Sequence, residues 1–220
     1  MENEQNFQIE LLCLDKSADL DKLMRFAFAS STRVIDKLCI QSGLLKILPD
    51  IRDSIVIASQ IDFPDGLSSS ISRSHDAMYS VRYGAKYVDL VINNVLLEDG
   101  QWGRIAQEVG SMQKMCAENN VVLRAVIEYS LHTSDILINL CEILLNNGVD
   151  TIINSTGRVV DNVTDNLLSC QSLKGATGIN IVACGRLYTE KQLNLFKSIG
   201  IERFRMSFLP SVEKIVGKLV

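Results

Sequence analysis

Tyr83-Gly84-Ala85-Lys86-Tyr87-Val88-Asp89-Leu90-Val91-Ile92-Asn93 contains the end of a helical pattern, a glycine stop and a buried strand. Upstream, Ile71–Tyr83 has a polar start and helical spacing, and Gly84 supplies the left-handed conformation that ends such a segment. Downstream, Tyr87–Ile92 is apolar at nearly every residue rather than at alternate ones, as in a strand covered on both faces. Helix, tight turn and doubly covered strand form half of a βαβ unit, from which parallel sheets are built.

The unit recurs in both directions at intervals of roughly 20 to 30 residues. Strands are predicted at Ile9–Leu14, Val34–Ile40, Ser54–Gln60, Tyr87–Ile92, Val121–Glu128, Thr151–Asn154, Ile179–Ala183 and Arg203–Ser207. Helices are predicted at Trp102–Glu118, Asp135–Leu145, Thr189–Ser198 and Pro210–Leu219, with Asn or Gly stops after the first three. Strict alternation predicts an α/β fold, an eight-stranded parallel β/α (TIM) barrel with residues 1–220 as one domain. A doubly wound open sheet is the competitor. It usually carries a glycine-rich turn after its first strand, and Leu14-Asp15-Lys16-Ser17 has none.

Composition narrows the function. The 220 residues are 47% hydrophobic and 22% charged with a net charge of −4, and no basic run is present, which disfavours a nucleic-acid partner. Neither a membrane-length apolar stretch nor a basic, then apolar, start appears, so no membrane association and a cytoplasmic location are expected. The six cysteines are widely spaced, read as free thiols, and no His/Cys pattern predicts a metal; no cofactor is expected. His75 and His132 read as surface or loop residues.

In such a barrel the chemistry sits at the C-terminal strand ends. Asp89, Arg124 and Glu128 interrupt apolar strands, and Arg124, Val126 and Glu128 share one face by alternation. Charges there require partners, so the three are expected to form one polar network in the barrel mouth, whether structural or functional. Two loops have phosphate chemistry: Asn154-Ser155-Thr156-Gly157-Arg158 after strand 6 and Ala183-Cys184-Gly185-Arg186 after strand 7. In each, glycine lets backbone amides approach an anion beside an arginine. Gly157, Arg158, Gly185, Arg186, Arg205 and Ser207 are the phosphate-binding candidates.

The order of motifs resembles the deoxyribose-phosphate aldolases, class I aldolases on a β/α barrel. Leu38-Cys39-Ile40 is similar to that family's strand-2 cysteine segment and Phe63-Pro64-Asp65-Gly66 to its F-P-x-G. The Tyr83–Asn93 stretch is similar to its Y-G-A-x-E-[IV]-D-x-V-x-N, Val126-Ile127-Glu128 to the end of its strand 5, and Asn154-Ser155-Thr156-Gly157 to its T-S-T-G. Asp89 and Glu128 are the catalytic candidates, and Cys39, Asn93, Arg124 and Asn154 the substrate-binding ones; the resemblance implies a proton-transfer role for Asp89. It also implies a nucleophilic lysine directly before T-S-T-G, where this chain has Ile153. The strand-7 lysine is matched by Ile181 or a neighbour. The family's strand-1 acid corresponds to Cys13, with Asp15 on the same face, and its G-x-S-S loop to Arg205-Met206-Ser207-Phe208.

A Schiff base needs a primary amine, and isoleucine has none. The first expectation is therefore a pseudoenzyme or repurposed relative that binds a small phosphorylated or anionic molecule. The alternatives are an active lyase on a sugar phosphate or aldehyde, using Asp89 and Glu128 without a Schiff base, and an interaction protein with no small-molecule ligand. The resemblance also implies a homodimer; Phe26, Phe28 and Trp102 fit either its surface or the core.

Overall fold

The computed structural model describes residues 8–13, 21–25, 34–48, 54–159 and 161–217. Eight strands close a parallel barrel in chain order: β1 (Gln8–Leu12), β2 (Ile35–Gln41), β3 (Val56–Ile61), β4 (Tyr87–Val91), β5 (Val122–Val126), β6 (Thr151–Ile153), β7 (Asn180–Cys184) and β8 (Arg203–Met206). β8 returns to pair with β1, Gln8 opposite Arg203 and Leu11 opposite Met206. Each strand lies within one or two residues of its expected bounds. The end of the first one, Leu14, lies outside the described residues, as do Asp15, Phe26 and Phe28.

The helices are α1 (Ser70–Arg82), α2 (Asn94–Glu98), α3 (Trp102–Glu118), α4 (Ser134–Asn146), α5 (Val163–Thr177), α6 (Glu190–Lys197) and α7 (Leu209–Val216); residues 21–25 are also helical. Local chemistry sets their ends. Ser69 accepts from Ser72 N at the start of α1, and Thr189 and Gln192 form a reciprocal capping box on α6. Helix α5 starts on the Asn162 cap, and Gly178 ends it at φ 73°. The sequence reading did not name this helix, because its apolar residues do not gather on one face; the side chains it buries include Asn166.

Most of the apolar core lies between the barrel wall and the helices, with Ile9, Leu11, Val88, Leu90 and Phe204 among its fully or almost fully buried members. Trp102 is half-buried against this core. Two smaller apolar clusters lie inside the barrel. One is Leu12, Cys39 and Ala58; the other is Val91, Val126, Ile153, Val182 and Cys184. These inner clusters determine what the mouth can hold.

Candidate functional site

Strand β5 sends Arg124 and Val126 into the barrel, with Glu128 just beyond it on the same face, and the three lie in three different environments. Arg124 is at the charged centre. Its Nε and Nη2 donate to Asp89 Oδ1 and Oδ2 at 2.8 and 3.0 Å, and its Nη1 donates to Glu10 Oε1. Arg205 donates from Nε and Nη2 to Glu10 Oε2 at 3.1 and 2.7 Å, and from Nη2 to Asp89 Oδ2 at 2.6 Å. Lys37 Nζ lies 3.6 Å from Glu10 Oε1 and 5.0 Å from the centre of the Tyr87 ring, which Arg124 also covers. None of these charged groups is more than 3% exposed.

Mutual pairing keeps the groups ionised. Burial alone would raise the Glu10 carboxyl, but the Arg205 and Arg124 guanidiniums hold it well below the usual carboxylate range. Removing one partner from such a cluster would leave a bare charge in a dry core.

Two residues further along the strands the barrel turns apolar, with Val91 above Asp89 and Val126 above Arg124. Ile153 is fully buried in this layer beside Val126 and Val182. Of the strand-7 residues, Val182 faces inward and Ile181 belongs to the outer core. The inward position on β7 is therefore one residue past Ile181.

Glu128 lies above the apolar layer, so the single network expected for Asp89, Arg124 and Glu128 is divided by Val126. Glu128 accepts from Thr156 N and from Ser155 Oγ at 3.2 Å. Burial pushes its carboxyl up, against the opposing effect of the Thr156 and Ser155 hydrogen bonds.

Beside it opens a cleft of about 570 Å³, lined by the β6, β7 and β8 loops and by Lys22. Gly157, Arg158, Gly185, Arg186, Arg205 and Ser207 all line this cleft. Lys22 and the three arginines bring positive charge to it, and no Asp or Glu is among its described lining residues.

The β7 loop is held by a residue the sequence reading passed over. Asp161 accepts from Arg186 N at 3.1 Å, from Asn166 Nδ2 at 3.3 Å and from the Tyr129 hydroxyl. Gly185 has φ 131°, and a β-carbon there would stand 2.0 Å from Asp161 Oδ2. Glycine is required at this close approach. The Arg186 amide is directed at Asp161, which leaves its exposed side chain for the cleft.

The other expected substrate contacts lie elsewhere. Asn154 is fully buried behind the strand, where Oδ1 accepts from Cys184 N at 2.8 Å and Nδ2 donates to Asn166 Oδ1 at 2.7 Å. It joins β6, β7 and α5 and does not face the mouth, because strand alternation turns it away from the side used by Ile153 and Ser155. Asn93 is half-buried and caps α2 through Leu96 N at 3.1 Å. Cys39 lies inside the barrel with Sγ 3.5 Å from Glu10 Oε2, and burial raises its thiol.

Glu10 and Lys37 were absent from the expected site. Each is a charge inside a predicted apolar strand, the signal that singled out Asp89, and could have been found by it. The acid facing into the barrel from β1 is Glu10, whereas Cys13 lies in the outer core.

No family profile matches the chain. Deoxyribose-phosphate aldolase from Mycoplasmopsis pulmonis is 28% identical over 194 residues, covering 87% of this chain and 86% of the relative. Over most of its length the chain is similar to deoxyribose-phosphate aldolases. Its likeness to the family extends to Streptococcus pyogenes serotype M5, whose deoxyribose-phosphate aldolase is 24% identical over 89% of this chain and 84% of its own length. Among solved structures, the aldolase QR15 superposes with a TM-score of 0.83 at 20% identity, covering 99% of this chain and 97% of its own. A tetrameric deoxyribose phosphate aldolase from Aeropyrum pernix gives 0.80 at 18% identity over 99% and 92%. These two share the fold.

Proposed function

We propose that this aldolase-like barrel binds a small phosphorylated or anionic molecule in its mouth cleft and does not form a Schiff base. The carrying observation is the cleft itself, where arginines from three successive strand ends meet two glycine loops and no acidic lining residue stands among those described. Such a surface suits a phosphate through charge-assisted hydrogen bonds. The amine-free apolar layer around Ile153 supports the second half of the reading. Lys22, which lines the cleft, is exposed and comes from outside the barrel strands.

Two measurements test it. Borohydride reduction in the presence of deoxyribose 5-phosphate is expected to yield no covalent adduct; an adduct on any lysine, Lys22 included, overturns the non-covalent reading. Millimolar inorganic phosphate is expected to raise the melting temperature, and Arg158→Ala to remove the shift. No shift with phosphate or sugar phosphates favours the interaction-protein alternative.

An active lyase without a Schiff base is the second reading. Glu128 supports it, with a raised carboxyl bonded to Thr156, a lining residue of the cleft. Asp89, the other group that reading needs, already binds two guanidiniums through its oxygens. Turnover of a sugar phosphate that Glu128→Gln abolishes is the result this alternative requires. Self-association, as in the tetrameric Aeropyrum pernix relative, and a cytoplasmic location belong to the same proposal.

A further inference from the structure

Arg205 stands at the cleft floor with most of its guanidinium in use. Nε and Nη2 serve Glu10 and Asp89, while Nη1 is buried with no hydrogen-bond partner. The residue is 1% exposed and lines the cleft. Buried donors are nearly always satisfied, so an unpartnered guanidinium N–H on a cleft-lining residue marks a place for an acceptor. Inside the same barrel, Gln60, the register neighbour of Asp89, also keeps both amide atoms buried and unpartnered.

Chemistry narrows the acceptor. Guanidinium stays protonated throughout the working pH range, so Arg205 can recognise a group but cannot form a covalent bond to a carbonyl as a lysine does. An aldehyde or alcohol oxygen can accept from the guanidinium, but a carboxylate adds the attraction of opposite charges, which a water-poor floor strengthens. The cleft adds no carboxylate among its described lining residues to repel a second anion.

We infer that the ligand carries two acidic groups, a phosphate held by the rim loops and a carboxylate bound by Arg205 Nη1 at the floor. The family name implies an aldehyde or ketone as the reacting group; a phosphorylated carboxylic acid takes that place here. This inference rests on the proposed phosphate site at the rim.

Three probes differ only at the end opposite the phosphate: 3-phosphoglycerate has a carboxylate, glyceraldehyde 3-phosphate an aldehyde and glycerol 3-phosphate an alcohol. Titration calorimetry on the intact protein is expected to give 3-phosphoglycerate an affinity at least about tenfold above the other two. Arg205→Lys keeps a positive charge toward Glu10 and Asp89 but removes Nη1; it is expected to abolish the preference for 3-phosphoglycerate over the other two probes. Equal affinities for the three probes, or a preference for the aldehyde, overturn the carboxylate subsite and leave the rim site standing. A preference that survives in Arg205→Lys overturns the assignment to Nη1. If none of the probes nor phosphate binds, the rim site fails as well. Should Arg205→Lys not fold, the wild-type series still decides the carboxylate preference.

Discussion

Arg124 clasps Asp89 with two parallel hydrogen bonds of 2.8 and 3.0 Å between adjacent strands, with neither residue more than 1% exposed. Bidentate geometry explains why both charges persist in so dry a place. Arg124→Met is expected to destabilise the fold by about 3 to 5 kcal/mol in urea unfolding, because it strips a cation from Glu10 and Asp89 together. Pairing it with Asp89→Leu is expected to cost clearly less than the two single losses added. Simple additivity would remove the case for a coupled pair.

Acid and base should act oppositely on two carboxylates. Glu10 is held below its ordinary pKa, so its stabilising effect is present above the usual carboxylate range and is lost as pH falls through the folded value. Glu128 is raised, so its ionisation weakens the native state as pH climbs from the unfolded value through the folded one. Glu128→Gln is therefore expected to gain stability relative to wild type as pH rises through that window. Unfolding curves at a series of pH values measure this; a difference independent of pH would count against it.

The two loop glycines should respond unequally to alanine. Gly157 has φ 72° and only Cys184 Sγ near its absent β-carbon, at 3.8 Å. Its replacement is expected to cost about 1 to 2 kcal/mol from backbone strain alone. Gly185→Ala would drive a methyl group into Asp161 and disturb the Tyr129 and Arg186 bonds, so it is expected to cost more and to erase the phosphate-induced thermal shift. Equal effects from both changes would contradict the assigned role of Asp161.

All six cysteines are buried, and burial pushes the Cys116, Cys141 and Cys184 thiols up to about 12. A water-soluble disulfide reagent near pH 8 is expected to react slowly with the native protein and with every thiol in urea. Immediate reaction of one thiol in the native state would show that the inner barrel is more open than described. Cys184, which lines the cleft, would be the first to examine.

Strand positions were legible because each doubly covered strand is a short apolar run between polar stops. Helix α5 was not, since it buries Asn166 toward Asn154 and lacks an apolar stripe. That the six phosphate candidates would share one cleft was legible, because glycine beside arginine after a barrel strand is a local pattern. The division of the charges was not. Alternation places Arg124, Val126 and Glu128 on one face, but only the closed barrel shows that the Val126 layer separates the charge below from the one above. Lys22 and Asp161 come from segments outside the strands, so no strand pattern could have brought them to the mouth.

The Glu10–Arg205 contact also affects how the chain reaches this fold. It joins the first strand to the last across a sequence separation of 195 residues. Until β8 is in place, Glu10 and Asp89 lack one of their cations. A partial barrel ending before β8 therefore holds buried acids without full compensation and has little reason to persist. Such late, long-range closure slows folding and couples its halves. During synthesis, the first strands must wait for Arg205 to emerge before Glu10 Oε2 gains its guanidinium partner, and C-terminal truncation should lead to loss of the whole barrel rather than a trimmed one.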